Sequence, residues 1–388
     1  AGGSQSITMD LSGLADGPIT VTWSATDTAG NPTSYTDPSA IKDTMVPGAP
    51  SNLTVQAGTS NAASVINMHS ETGVRVAATF GSGALGGGEQ FSVTLTPQGS
   101  SSPAVSYGPI SGGPIGGTSF VFGPMNTTSI SDGSVDIRLD VMDPAGNTAS
   151  YLGTTATKDV VPPAMPTSAV VAGGSTNPAN FINATTTGSV QVDVGFGAGT
   201  IATDQVTVTL SGSAFVSTTA PATAPSSSGS MSFSGINTTN MFDGPVIVSV
   251  NVEDVNQNTA TYTGIPATKD TIAAGSPSNA FVATSGSNPQ GYINGTTAPT
   301  TLVSVAFPDS YEGNVTWRCV LTDTGASNAA SAWMAIAESG SSGTAQVNAA
   351  ALADGSVTVS VEVVDEAGNP AAFPSWTATK DTIGSGAP

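Results

Sequence analysis

Aspartate and asparagine are the residues of this sequence best placed to do chemistry, because they recur in a fixed register. Asp-Gly occurs at Asp16, Asp132, Asp243 and Asp354. Lys-Asp occurs at Lys42-Asp43, Lys158-Asp159, Lys269-Asp270 and Lys380-Asp381. Between them lies a short polar segment. It reads Asp27-Thr28-Ala29-Gly30-Asn31, then Asp143-Pro144-Ala145-Gly146-Asn147, then a drifted Asp254-Val255-Asn256-Gln257-Asn258, and finally Asp365-Glu366-Ala367-Gly368-Asn369. All three marks advance by 116, 111 and 111 residues, a coincidence that only an internal repeat explains. Asn67, Asn183 and Asn294, each after an isoleucine, follow with steps of 116 and 111.

Such oxygen donors suit calcium, which takes six to eight hard oxygen ligands. If each turn Asp, turn Asn and linker Asp gather near the start of the next domain, they form junction sites. The candidate ligands are then Asp27, Asn31, Asp43, Asn67, Asp143, Asn147, Asp159, Asn183, Asp254, Asn256, Asn258, Asp270, Asn294, Asp365, Asn369 and Asp381. Asp254, Asn256 and Asn258 also have the alternate spacing of a metal loop. The competing reading is turn chemistry, in which Asp and Asn side chains bond nearby backbone amides in any β fold.

Other chemistries find little material. Every lysine belongs to the Lys-Asp mark, and a local ion pair is the expected use. A side-chain amide link would need a buried lysine opposite an Asn with an acid beside it, and an exposed linker is a poor place for that. Cys319 alternates with Val315 and Trp317, so it reads as a core position. The one histidine, His69, lies far from it in sequence. Gly81-Ser82-Gly83-Ala84-Leu85-Gly86 spells a dinucleotide fingerprint, but no helix signal follows to aim amides at phosphate. Asn52, Asn126, Asn183, Asn237, Asn294 and Asn314 begin Asn-x-Thr sequons, as a Thr-rich chain produces by composition. An enzyme therefore lacks candidate residues.

The elements that carry these marks are strands. Only 9% of the 388 residues are charged, and the net charge is −20, which disfavours a nucleic-acid partner. No run of 18 apolar residues could cross a membrane as a helix. After each Asp-Gly, apolar residues alternate strictly: Ile19, Val21, Trp23; then Val135, Ile137, Leu139, Val141; then Val246, Val248, Val250, Val252; then Val357, Val359, Val361, Val363. Period two with one apolar face predicts half-buried strands in antiparallel sheets. The first complete unit predicts strands over 52–55, 74–80, 91–95, 104–107, 119–122, 135–142 and 149–157. About seven strands per repeat is the pattern of a β-sandwich.

The expected fold is all-β: tandem immunoglobulin-like β-sandwiches in an extended rod. The expected division is a C-terminal half-repeat over 1–45, then repeats over 46–161, 162–272 and 273–388. Pro47, Pro50, Pro162, Pro163, Pro166 and Pro277 stiffen the boundaries. The opening half-repeat predicts a window on a longer array or, alternatively, completion in trans by a neighbouring chain's strand.

The run of Asp-Gly, alternating apolar residues, Thr-Asp-Thr-Ala-Gly-Asn and a closing Lys-Asp-Thr resembles bacterial Ig-like tandem repeats. These form the extender regions of large cell-surface adhesins and related prokaryotic surface proteins. The resemblance spans all four blocks. It implies a non-enzymatic extracellular stalk that holds a distal module away from the cell, with calcium stiffening the domain junctions in many members. Linkers of some members carry denser Asp runs than the single Asp found here. The expected partners are neighbouring repeats of the same or another copy, with the distal ligand unspecified. Two further readings are a carbohydrate- or protein-binding module, for which Tyr107, Tyr311, Trp333 and Trp376 are the aromatics to inspect, and a filament or lattice subunit.

Overall fold

The computed structural model describes residues 4–112, 119–198, 202–225, 228–286, 288–308, 314–336, 342–371 and 374–384. Among them every regular element is a β-strand except one 3-10 turn, Ala298–Thr300. The alternation in sequence is the cause. In the strand Gly133–Met142, Val135, Ile137, Leu139 and Val141 are buried while Arg138 is exposed.

The strands between Pro50 and Lys158 form an immunoglobulin-like sandwich. One sheet runs in the order Pro50–Val55, Val74–Phe80, Ser119–Met125. The other runs Val65–Ile66, Ala156–Lys158, Gly133–Met142, Gln90–Pro97, Val105–Ser111, with Thr148–Leu152 also on Gly133–Met142. The short Val65–Ile66 lies parallel to Ala156–Lys158, so the start of the sandwich clasps its final strand. The other pairs in this sandwich are antiparallel. Leu53, Val76, Phe80, Phe91, Phe122 and Leu139 fill the space between the sheets. The same strand order recurs twice more, around cores centred on Val192, Val208 and Val250 and on Val303, Cys319 and Val361.

By contacts the chain divides into two compact units. The first is Ala1–Pro162 with Glu253–Thr259, and the second is Pro163–Val252 with Ala260–Pro388. The first unit also holds a two-stranded hairpin, Gly17–Thr26 with Pro32–Lys42, on which Trp23 and Tyr35 are exposed.

Two details differ from the sequence reading. Val65–Ile66 is too short to show a period. The expected strand over 149–157 is interrupted, because Gly153 bonds Ile137 O while Thr154 turns to Leu53 O on the facing sheet. The glycine of every Asp-Gly has a left-handed φ, between 128° and 134°, so it opens the strand where a side chain would be strained.

The lysine of the Lys-Asp mark is the main correction. It does not sit in an exposed linker: Lys158, Lys269 and Lys380 are 3–4% exposed. Ala156–Lys158 alternates buried, exposed, buried, so the lysine stem follows the core and its head stays buried at the sandwich end. There it meets the aspartate of Asp-Gly, because Gly133 and Lys158 are register partners. The pairs are Lys42–Asp16 at 2.7 Å, Lys158–Asp132 at 3.3 Å, Lys269–Asp243 at 2.8 Å and Lys380–Asp354 at 3.3 Å. Each complete sandwich is thus latched between its last strand and its longest one.

Candidate functional site

The repeated turn is a rigid knot of hydrogen bonds. Asp27 Oδ1 accepts Ala29 N and Asn31 N, both at 2.9 Å, and Oδ2 accepts Asn31 Nδ2 at 3.0 Å. Asp143 and Asp365 hold Asn147 and Asn369 likewise, each accepting the backbone N at 2.8 Å. Asp254 takes Asn256 N at 2.8 Å, Asn258 N at 2.9 Å and Asn258 Nδ2 at 2.9 Å. The Asn31 side chain and amide hold the Asp27 carboxyl below its ordinary value. At Asp143 burial pushes upward, but the bonds from Asn147 outweigh it and the net shift is down.

In the first unit this turn meets a receiver. Asn67 is fully buried and donates its side-chain amide to Asn256 O at 3.0 Å and to Ser60 O. Its Oδ1 is fixed by His69 N and Ser70 N. In return Asn258 Oδ1 accepts Met68 N at 2.8 Å, and Asn258 Nδ2 donates to Asp159 O at 3.0 Å. Asn256 Nδ2 donates to Asp159 Oδ2 at 2.8 Å. The second unit repeats the arrangement. Asn183, also fully buried, donates to Ala367 O at 3.1 Å. Ala184 N donates to Asn369 Oδ1 at 2.8 Å, and Asn369 Nδ2 to Asp270 O at 2.9 Å. The turn at Asn147 likewise donates to Asp43 O at 3.1 Å.

The candidate residues therefore gather, but not in the expected grouping. The turn and the linker Asp of one repeat lie at opposite ends of a ten-residue strand, roughly 30 Å apart at the usual rise. What meets is the linker Asp and Ile-Asn corner of one repeat with the turn of the following one. Asn294 and Asp381 form the same corner: Asn294 Oδ1 accepts Thr296 N and Thr297 N, and Asp381 N donates to Ile293 O. Asp27 and Asn31 form the same turn in the opening hairpin. Sequence reasoning missed the latch between Asp-Gly and Lys-Asp, although their constant 26-residue separation was a visible signal.

Calcium would need oxygens that face a common point. In these junctions the turn carboxylates already accept N–H donors, and Asn67, Asn183 and Asn369 present amide nitrogen to the facing carbonyls. Among the described residues no three of His, Cys, Asp and Glu stand close enough to hold a metal ion. Asp43, Glu89 and Asp143 line one groove of the first unit. Glu89 accepts Gly86 N and Gly87 N, so the Gly-rich loop wraps a carboxylate of its own chain.

Of the remaining candidates, Cys319, Tyr107 and Trp376 belong to cores. Cys319 is fully buried and burial pushes its thiol up to about 12. Tyr107 and Trp376 pack against their cores. Trp333 is 46% exposed, with the Arg318 guanidinium 4.8 Å from its ring centre. Tyr311 lies outside the described residues.

No family model matches the chain, and no curated protein does. Solved structures do resemble it. The tetra-tandem repeat in the extending region of a large adhesion protein is 21% identical, covering 96% of this chain and 84% of that one, with a TM-score of 0.30. A Ca2+-stabilised adhesin by which an Antarctic bacterium reaches out and binds ice is 24% identical, covering 94% and 82%, with a TM-score of 0.38. A 1.5-MDa bacterial ice-binding adhesin is 20% identical, covering 82% and 95%, with a TM-score of 0.29. These three matches are to adhesin structures; the all-β sandwich of this chain stands on its own strand order.

Proposed function

We propose that the chain is a non-enzymatic stalk segment of an extracellular, cell-surface adhesin, in which repeats 46–161, 162–272 and 273–388 act as stiff links. The observation that carries this is the repeated junction: a preformed turn seated on a buried asparagine and a linker carbonyl, once in each unit. Three hydrogen bonds in the second unit and four to five in the first restrict bending, as a spacer requires. The proline-rich linkers support the same reading.

Small-angle scattering of the full chain tests it. A compact domain of this length has a radius of gyration near 21 Å. Three and a half sandwiches end to end, each about as long as a ten-residue strand, give roughly 35–40 Å. A value near the compact figure ends the proposal.

Calcium is the second reading, favoured by the recurring acids of the junctions, of which Asp43 and Asp143 line one groove of the first unit. The hydrogen-bonded junction predicts that a chelator leaves the melting temperature unchanged. A rise in millimolar calcium that Asp143→Asn removes would transfer support to the metal, since a ligand of the folded state alone must raise it.

A further inference from the structure

One of the four latches differs from the others. Lys158 Nζ lies 3.3 Å from Asp132 Oδ1 and also 3.3 Å from Glu71 Oε2. At the positions equivalent to Glu71 the later repeats carry Thr187 and Ala298. A second departure coincides with the first. In the other copies a threonine two residues beyond the lysine donates its amide and hydroxyl to the aspartate: Thr44 to Asp16, Thr271 to Asp243, Thr382 to Asp354. Those bonds favour the ionised carboxylate. In the 46–161 repeat the position is Val160, which has no hydroxyl to give. A desolvated lysine, 3% exposed, therefore faces two carboxyl groups, one of them short of its usual donor.

We propose that Lys158 and Asp132 become joined by a side-chain amide bond, with Glu71 as the proton carrier. Only the amine is shut off from water: the Lys158 side chain is 3% exposed, while Glu71 and Asp132 keep 24% and 34% of theirs. A proton passes from Lys158 to Asp132, leaving a neutral amine beside a neutral acid. Lys158 Nζ attacks Asp132 Cγ. Glu71 takes a proton from Nζ and delivers it to the departing hydroxyl. The C–O bond breaks, water leaves, and Glu71 is carboxylate again. Ammonium and carboxylate have become amide and one water, so no oxidant or cofactor is required. The partners are already oriented, because Gly133 and Lys158 are register partners, and such fixing removes most of the entropic barrier. Asp132 is the electrophile because it is held beside that paired position, whereas Glu71, on the turn after Asn67, reaches Lys158 only through its longer side chain. The bond would tie the final strand, Ala156–Lys158, covalently into its sandwich.

The intact mass of the purified full chain decides the matter. The expected result is a chain lighter by one water, with a branched proteolytic peptide joining Lys158 to Asp132. Lys158→Arg and Glu71→Gln should each restore the full mass, and Lys269 and Lys380 should remain unlinked. A full-mass wild-type chain overturns the proposal, independently of how any variant folds. So does a water loss carried by a cyclic imide at an Asp-Gly site without a branched peptide, or a branch that ends on Glu71.

Discussion

The two docked turns make the same bonds with different backbones. In the second unit Gly368 adopts a φ of 87° directly under the receiver. A Cβ there would lie 2.2 Å from Thr176 O and 3.3 Å from Asn183 Nδ2. In the first unit the equivalent residue is Gln257, at a φ of 63°, and its carbonyl lies 3.4 Å from Asn67 Nδ2. Glycine is thus not obligatory for docking. What both junctions keep is the Asp–Asn knot, the buried asparagine of the receiver and the linker carbonyl. The first unit adds a contact the second lacks, because Asn256 reaches the Asp159 carboxylate where the second turn has Ala367.

Gly368→Ala should separate the two junctions most sharply. It combines a left-handed backbone with a clash, and should destabilise the second unit by about 3 kcal/mol. Hydrogen exchange at Ala184 and Asn369 would report it, with the amides of Met68 and Asn258 unchanged. Equal loss of protection in both units would mean that the junctions are not independent.

Asn183→Ala and Asn67→Ala come next. Each removes a buried amide and leaves Ala367 O or Asn256 O without that donor, for about 2 kcal/mol per site in denaturant unfolding. Because Asn256 also holds Asp159, the first unit should lose less. A larger loss at Asn67 would reverse the ranking.

Gln257→Gly should act in the opposite direction. It relieves a non-glycine left-handed residue and should stabilise the first unit by about 1 kcal/mol or less. A destabilised variant would show that the Gln257 side chain contributes to the junction.

The smallest effect concerns acid. Lys42, with Thr44, holds Asp16 down to about 2. At Asp243 burial pushes upward, but Lys269 and Thr271 outweigh it; at Asp354, Thr382 and Lys380 lower the carboxyl. These folded values lie below the unfolded one of about 4. The latch contribution is therefore complete above that pH and is lost as pH falls through the depressed values. Thr271→Val, which copies Val160, should bring that loss at Asp243 to a higher pH. An unaltered acid limb in this variant would mean that the hydroxyl has no part in it.

Much of this was legible in the sequence because it is local. Period-two alternation and turn residues act within a few positions, so the strands over 74–80, 119–122 and 135–142 are found within three residues of their ends. The Asp–Asn turn was legible for the same reason. The constant register of Asp-Gly, turn and Lys-Asp established a repeated unit, and the alternation placed Cys319 in a core.

Tertiary structure alone decided which marks meet. Two strands that are neighbours in the sheet bring Lys158 to Asp132 across 26 residues, and they bury a lysine that a proline-rich linker suggested was exposed. The length of one strand parts each turn from its own linker aspartate and presents it to the preceding repeat. Asn67 and Asn183 looked like possible cation ligands by type and spacing. Only the packed structure shows that they turn nitrogen, not oxygen, toward the facing carbonyls. The direction of a side-chain amide is set by what surrounds it, and that is not written in the residue type.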